Sequence, residues 1–274
     1  ITYTESGDGL TDLNRLVATS DGFMDGVHAD RDTYGADLVS LWVAALNAGL
    51  RETTAPWICL LNNDVLVTAG WLEEMIRVAK ANPDIGLVNP SSNQFDCWPA
   101  PRETIDDVAA RCQYQQGRWV ENWQGFGFCL LMPRAVYDTL GEWSDSQGGL
   151  YFEDTDYSLR VRSTGRRIAI AEGAYVYHHG SATINGDPSR AEKFRASEAW
   201  LFRRWGLRRP ERIAYVAPPA SDTSVAAARV RQLANEGHEV FVFAVRTQAG
   251  TMPRHLLVEV TAVPAWALWP VAAV

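Results

Sequence analysis

Residues 57–65, Trp-Ile-Cys-Leu-Leu-Asn-Asn-Asp-Val, constrain the fold more than any other stretch of the chain. Their short, wholly apolar start reads as a β-strand buried on both faces, as in the middle of a parallel sheet. Polar residues follow where such a strand emerges at its carboxyl edge, and ligands of open α/β sheets gather at that edge. Asp64 is then a carboxylate held by a rigid strand and presented to a crevice. A hard oxygen ligand in that place suits Mg2+ or Mn2+ carrying a diphosphate. Asn-Asn-Asp also makes an ordinary turn. On this stretch alone both readings stand.

Charge narrows the partners. At −8 the chain is a poor electrostatic match for nucleic acid or for an anionic membrane as a general partner. Any anion it binds must be met by a metal, by local arginines or by backbone N–H groups. No apolar run approaches the ~20 residues of a membrane span, and signal-peptide features are absent. With 274 residues, 47% hydrophobic and 21% charged, there is room for one large globular domain or two smaller ones. The cysteines show no CxxC and no metal-ligand spacing. Cys59 and Cys129 sit inside apolar runs and read as buried thiols, whereas a Cys97–Cys112 disulfide stays open. A reducing, cytoplasmic setting is the expectation. Starting at Ile1 without Met and stopping at Ala-Val, the chain reads like a fragment at both ends.

Taken in order, residues 1–4 alternate like the end of a strand, 5–9 form a turn, and Leu10, Leu13, Leu16 and Val17 recur at helical spacing. Residues 21–35 read as loop. Leu38, Leu41, Trp42, Ala45 and Leu46 predict an amphipathic helix that Gly49 closes. Beyond Asp64, Thr68 can cap a helix with Glu73 and Glu74 early, Leu72, Met75, Ile76 and Ala79 inward, and Asn82-Pro83 as its stop. A short strand follows at 85–89, an irregular segment at 90–124, an apolar strand at 126–132 and a short helix at 134–140. Residues 151–156 open a helix that Gly165 ends. Strands at 167–171 and 174–177 come next, the second running into His178-His179-Gly180, and 190–209 form a basic amphipathic helix.

At Pro210 the pattern restarts. A strand at 213–217, a helix capped by Ser221 or Asp222 with Ala226, Val230, Leu233 and Ala234 inward, Gly237, and a strand at 240–245 make one βαβ unit. The 65 residues from 210 to 274 are too few for a doubly wound sheet. They read as the start of a second domain, incomplete and Rossmann-like, after a first one over 1–209. Residues 246–274, with Trp266 and Trp269, carry no legible pattern.

The succession of strand, Asn-Asn-Asp, capped helix, Phe-Glu-Asp-x-Asp and strand-His over residues 1–205 resembles the inverting glycosyltransferases of family 2, with the GT-A fold. The early stretches that carry it are Glu5-Ser6-Gly7-Asp8-Gly9, Asn47-Ala48-Gly49-Leu50, and Leu61-Asn62-Asn63-Asp64 with Gly70-Trp71-Leu72-Glu73. The later ones are Asn89-Pro90-Ser91-Ser92-Asn93, the run from Tyr151-Phe152-Glu153-Asp154 to Arg160, and Tyr177-His178-His179-Gly180-Ser181. The resemblance implies an α/β fold, a mixed sheet flanked by helices, whose first strand would precede Ile1 and is missing. It implies Asp64 as ligand to Mn2+ or Mg2+, with the diphosphate of a nucleotide sugar on the other side. His178 would complete that metal site or touch the diphosphate. Asn62 and Asn63 would border the nucleotide sugar, and Glu5 stands where the family usually has an Asp contacting the nucleoside. Asn62 replaces an Asp of many relatives, and a neutral amide is a weaker ligand. The unit from Arg212 to Val245 is similar to the start of a GT-B glycosyltransferase's amino-terminal half, its Asn235-Glu236-Gly237-His238-Glu239-Val240 turn most of all.

Inverting transfer needs a base for the acceptor hydroxyl and a cation for the departing nucleoside diphosphate. The family assigns the base to the position of Asp154. At a helix start Asp154 and Asp156 face apart, while Glu153 and Asp156 share a side and Asp156 can pair with Arg160. Without the other motifs, Asp154 is as well read as a helix-capping acid, and His178 as a strand-end histidine satisfied by hydrogen bonds. Gly125-Phe126-Gly127-Phe128 lies where relatives build the acceptor pocket, a place given also to Glu153 and Trp123. Trp98, Trp119, Trp123 and Trp143 can offer a face to a sugar ring, although most tryptophans are core or interface. Arg160, Arg162, Arg166 and Arg167 read as a solvated helix face and its end.

The expected function is therefore metal-dependent, inverting sugar transfer from a nucleotide-sugar donor to a saccharide or lipid-linked acceptor, in bacterial surface polysaccharide assembly. The expected place is the cytoplasm, at the inner face of a membrane only through the acceptor. The alternative is a catalytically inactive sugar-binding or scaffolding domain of a multidomain protein.

Overall fold

The computed structural model describes residues 17–19, 38–62, 64–95, 97–144, 151–180, 190–217 and 222–268. Packing divides the chain into two units, residues 1–119 with 124–205 and residues 120–123 with 206–274.

In the first unit the chain runs β1 (Val17–Thr19), α1 (Leu38–Glu52), β2 (Trp57–Asn62), β3 (Val65–Val67), α2 (Trp71–Ala81) and β4 (Ile85–Ser92). After a 3-10 turn at Asn93–Phe95 come α3 (Ile105–Gln113) and β5 (Trp119–Asn122), which leads into the residues assigned to the second unit. Then follow β6 (Cys129–Pro133), α4 (Arg134–Leu140), α5 (Glu153–Ser163), β7 (Arg167–His178) and α6 (Arg190–Trp205). The strands lie in the order β1-β2-β6-β4-β7-β3. β1 is parallel to β2 and β4 to β7, while β6 runs antiparallel to both β2 and β4, and β3 to β7.

The apolar run behaves as a strand covered on both sides. Ile58 and Leu60 enter one cluster with Leu46, Leu50, Leu87, Leu130, Tyr157 and Val161, whereas Cys59 enters the other with Met75, Val78, Val88, Leu131 and Val176. Successive residues of β2 and β6 thus alternate between two helix-covered layers, the period of two that a pleated strand imposes. This is the mixed sheet flanked by helices that the sequence led us to expect.

Several local expectations change. Val17, read as the end of a helix, is in β1, and α1 continues through Gly49 to Glu52 with Leu50 fully buried. The helix-cap reading for Thr68 fails because its hydroxyl donates to the Tyr175 carbonyl at 2.6 Å; α2 starts after Gly70, whose φ of 75° only glycine adopts without strain. Val78 and Glu74 join the buried side of α2, the carboxylate of Glu74 paired with Arg77 at 2.7 Å. The segment 90–124 is not irregular throughout. It holds α3, opened by a reciprocal capping box between Thr104 and Asp107. Residues 167–178 form one strand, not two, with a register shift against β4 between Pro90 and Ser91.

In the second unit β8 (Arg212–Val216), α7 (Thr223–Asn235) and β9 (Glu239–Val245) form the expected βαβ arrangement. Asp222 caps α7 by accepting from the Ser224 N–H at 2.8 Å, and Ala226, Val230, Leu233 and Ala234 face inward. After the short α8 (Arg246–Ala249), β10 (Val258–Val263) adds a third parallel strand in the order β10-β9-β8, ahead of α9 (Ala265–Leu268). Sequence reading found no pattern there, since β10 alternates only weakly and lies at the edge of the sheet.

Candidate active site

Asp64 sits in the turn between β2 and β3, as the turn reading of Asn-Asn-Asp requires. β3 pairs with β7 so that Val65 lies opposite His178. That register brings Asp64 Oδ1 to 3.1 Å from His178 Nε2. The two atoms are close but not aligned as a hydrogen bond, and Oδ1 is buried without a hydrogen-bond partner. Burial works to raise the Asp64 pKa, yet the His178 ring and the backbone N–H outweigh it and hold the carboxyl below its ordinary value.

The imidazole is fixed on several sides. Its ring stacks on Phe128 with centroids 4.9 Å apart and planes 12° apart. The buried Asn93 side chain grips the His178 backbone both ways, Nδ2 donating to its carbonyl and Oδ1 accepting from its N–H, each at 2.9 Å. His178 Nδ1 is buried and has no hydrogen-bond partner.

These atoms fit a divalent cation. A carboxylate oxygen and an imidazole nitrogen both suit Mn2+, and neighbouring ligands of an octahedral ion at ~2.1 Å stand about 3 Å apart. Among the described residues no group of three or more His, Cys, Asp and Glu side chains clusters as a metal cage. A site of two protein ligands is of the kind that substrate phosphates and water complete.

The second carboxylate group lies at the start of α5. Tyr151 and Phe152 precede it with φ of 64° and 73°, a left-handed conformation that non-glycine residues adopt only under constraint. No side chain caps the helix. The turn delivers Glu153 and Asp154 together. Asp154 Oδ2 accepts from the Gly127 N–H at 3.0 Å, and Oδ1 accepts from the Thr155 N–H at 2.7 Å. Desolvation raises the Asp154 pKa despite those bonds. Glu153 Oε2 is buried without a partner, and burial together with the charge of Asp154 drives the Glu153 pKa well above the carboxylate range. Two adjacent carboxyl groups with raised values share their protons as a pair.

Asp156 turns away from both. Its Oδ1 takes Arg204 Nε and Trp205 Nε1, each at 2.8 Å, and so fastens the end of α6 to α5. The expected pairing with Arg160 does not form, because that guanidinium donates to the carbonyls of Leu140 and Glu142 and lies over the Tyr157 ring. Arg166 and Arg167 likewise serve the structure, at the Pro83 carbonyl and at Asp84.

The loop ahead of β6 joins the two groups. Gly127 donates to Asp154, while the next residue, Phe128, stacks on His178 and accepts the Asn62 N–H through its carbonyl at 2.9 Å. Asn89, fully buried in β4, shapes this loop: Oδ1 accepts from the Phe126 N–H at 3.0 Å, and Nδ2 donates to the carbonyls of Phe126 at 2.8 Å and Cys129 at 2.6 Å. Because these backbone groups are spent on Asn89, the strand expected from residue 126 begins only at Cys129. Ser158 Oγ accepts the Gly125 N–H at 2.8 Å. Replacing Asn89 by Ala strands buried backbone groups, so unfolding free energy is expected to fall by about 2–4 kcal/mol. Urea melts with an unchanged m-value read this directly.

Of the residues singled out from the sequence, Asp154, Asn62 and His178, with Asp64 beside it, therefore meet the loop at residues 126–128, which itself includes Phe126. Gly125 is buried, and a Cβ there would stand 2.8 Å from Leu130 Cδ1, so interior packing explains the glycine. Trp123 belongs to the second unit. Of the other tryptophans, Trp143 is core, stacked on Tyr157 at 4.6 Å, and Trp119 lies beneath the Arg167 guanidinium, whereas Trp98 is 56% exposed. Glu5 and Asn63 lie outside the described residues. Sequence reading quoted Asn89, Asn93 and Ser158 inside its motifs and Gly127 in the acceptor stretch, but gave none of them the hydrogen-bonding role that the structure shows. The two asparagines carried a signal, being polar residues in or just after an apolar strand.

Residues 39–205 match the sequence model of the family described as glycosyltransferase like family 2. Among curated proteins, the chain is 24% identical over 176 residues to the uncharacterized protein y4gI of Sinorhizobium fredii, an alignment covering 58% of this chain and 19% of that protein. A shorter segment is 53% identical over 58 residues to a peptidyl-Asp metalloendopeptidase of Stenotrophomonas maltophilia, covering 19% of this chain and 14% of that protein. The chain thus spans about a fifth or less of the curated relatives it matches. Among solved structures, GalNAc-T7 with UDP, GalNAc and Mn2+ aligns with a TM-score of 0.37 and 11% identity, over 50% of this chain and 30% of that one. Mannosyltransferase PcManGT from Pyrobaculum calidifontis, in complex with GDP-Man and Mn2+, aligns at 0.38 and 14%, over 81% and 74%.

Proposed function

This chain belongs to the glycosyltransferase-like family 2, a family of transferases, and from that membership we propose that it moves a sugar with inversion from a nucleotide-diphosphate donor to a saccharide or lipid-linked acceptor. The setting we propose is bacterial surface polysaccharide assembly, on the cytoplasmic side of the membrane. No helix among the described residues is long and apolar enough to cross a membrane. A start of a GT-B-like domain from about residue 210 belongs to the same reading.

One observation carries the proposal: consecutive residues Gly127 and Phe128 touch Asp154 on one side and His178, with Asp64 beside it, on the other. A carboxylate of raised pKa and a pair of metal-ligand atoms therefore border one short loop. In the proposed reaction the acceptor oxygen attacks the anomeric carbon and the bond from that carbon to the diphosphate breaks. Asp154 takes the hydroxyl proton. The N–H groups of Gly127 and Thr155 hold its two oxygens in place, leaving lone pairs for the acceptor. Asp64 and His178 would hold the divalent cation, which supplies charge neutralisation at the departing diphosphate. Asn62 and Asn63 would border the donor and Glu5 its nucleoside, while Phe126 and Glu153 would face the acceptor.

The full-length protein, offered a panel of nucleotide sugars with Mn2+ and candidate acceptors, is expected to release nucleoside diphosphate, and EDTA is expected to stop it. A neutral Asn62 favours a second reading, an inactive sugar-binding domain. Donor binding without any turnover, with EDTA making no difference, would decide for that one. The peptidase likeness supplies no third. A zinc peptidase helix wants H-E-x-x-H, and here His238-Glu239 is followed by Val242 on a strand.

A further inference from the structure

We propose that Cys97 and Cys112 are a reactive dithiol, a modification site that accepts oxidation by a low-molecular-weight disulfide and closes to an internal disulfide. Cys97 Sγ is 3.9 Å from Cys112 Sγ, and both are free thiols. Cys97 is half-buried and reachable, while Cys112, on α3, is buried.

The surroundings separate this pair from ordinary core cysteines. Arg111 Nη1 donates to Cys97 Sγ at 3.6 Å, and its Nη2 is tied to the Trp98 carbonyl at 3.1 Å. Glu103 holds the guanidinium from the other side, 2.8 Å from Nε. The cation is thus fixed against the sulfur. The Cys97 carbonyl is anchored by the Tyr175 hydroxyl at 3.1 Å. Hydrogen bonding from Cys112 is the largest influence on Cys97, and with Arg111 it brings the thiol down to about 6, although burial and Glu103 oppose it. Cys59 and Cys129 make the contrast, since both are buried and burial drives Cys129 upward. A half-exposed thiolate beside a cation, with a resolving thiol in reach, is the environment of a reactive cysteine.

With oxidised glutathione as the co-reactant, the Cys97 thiolate attacks one sulfur, the glutathione disulfide breaks, and one glutathione leaves. Cys112 then loses its proton and attacks the Cys97 sulfur, expelling the second glutathione. The protein dithiol gives up two electrons, and one oxidised glutathione becomes two reduced ones. The sulfurs must close from 3.9 Å to ~2.05 Å for the bond to form.

The test is peptide mapping of the full chain after exposure to oxidised glutathione under native conditions. Trypsin should give peptide 81–102 joined by a disulfide to peptide 112–118. Cys59 and Cys129 should stay unmodified. In Cys112→Ser a single glutathionyl group should accumulate on Cys97. Without oxidant, iodoacetamide at pH 7 should label Cys97 at least ~10 times faster than the other three cysteines, and Arg111→Gln should slow that by roughly fivefold. Cys97 and Cys112 found each singly glutathionylated, or neither modified while circular dichroism shows a folded chain, would overturn the proposal. So would equal alkylation of all four thiols.

Discussion

Asp154→Asn is expected to lower the turnover number by about a thousandfold while leaving the donor's dissociation constant within a factor of two or three. The amide keeps the size of the carboxylate and can still accept from the Gly127 and Thr155 N–H groups through one position at a time. What it cannot do is take a proton, and removal of a positioned general base costs about 10²–10⁴ in rate. Stopped turnover with retained donor binding, measured by calorimetry, separates this from misfolding. Turnover equal to wild type would remove Asp154 from the mechanism.

Glu153 is the rival, because its carboxyl is raised as well, by burial and by the charge of Asp154. The pair makes a pH prediction whose sign follows from those directions. A base must be ionised, so activity should be lost on the acid side, with an ascending limb displaced above the ~4 of an ordinary carboxylate. Stability should behave oppositely. A carboxyl raised on folding binds more protons in the native chain than in the unfolded one, so its contribution is full at low pH and is lost as pH rises through the raised value. Glu153→Gln is therefore expected to leave the ascending limb nearly in place, because burial and not the Glu153 charge raises Asp154, and to flatten the fall in stability. If instead it abolishes turnover as completely as Asp154→Asn, the two residues exchange roles.

The layer architecture was legible because it rests on local pattern. An apolar run with no helical period, ending in polar residues, needs no distant information to be read as a covered strand, and β2 alternates between two layers as that reading requires. The α7 stripe of Ala226, Val230, Leu233 and Ala234 was equally plain. Helix α3 was missed although Thr104-Ile105-Asp106-Asp107 carries its capping signal, since the proline-rich sequence before it dominated the reading. Partners distant in sequence were out of reach. Nothing local says that Asp156 will take Arg204 and Trp205 instead of Arg160, which stands one helical turn away. Nor does spacing reveal that Asn89 spends its amide on residues 126 and 129, or that Asn93 will clamp His178. The carboxylates could be named from sequence; the groups that aim them could not.

Asp64→Ala is expected to cost turnover more than a hundredfold and to change how the protein responds to Mn2+. The argument starts from the ligand count. Asp64 and His178 offer two donor atoms 3.1 Å apart, and Asn62 stands nearby as an amide with no charge to add. So few protein ligands should bind Mn2+ weakly by themselves, and much more tightly once a nucleoside diphosphate adds its oxygens. Titration followed by electron paramagnetic resonance should show at least a tenfold gain in affinity when the nucleotide is present. Removing the carboxylate should erase that gain. With it goes several kcal/mol of leaving-group stabilisation, and ~3 kcal/mol already exceeds a hundredfold in rate. The His178 ring, stacked on Phe128 and clamped through Asn93, should keep its place in the variant, so the loss reports the carboxylate and not a collapsed site. Asn62→Asp adds charge at the same strand end and should lower the Mn2+ concentration needed for half-maximal turnover. A wild-type Mn2+ response in Asp64→Ala would place the cation elsewhere and detach it from the turn that follows β2.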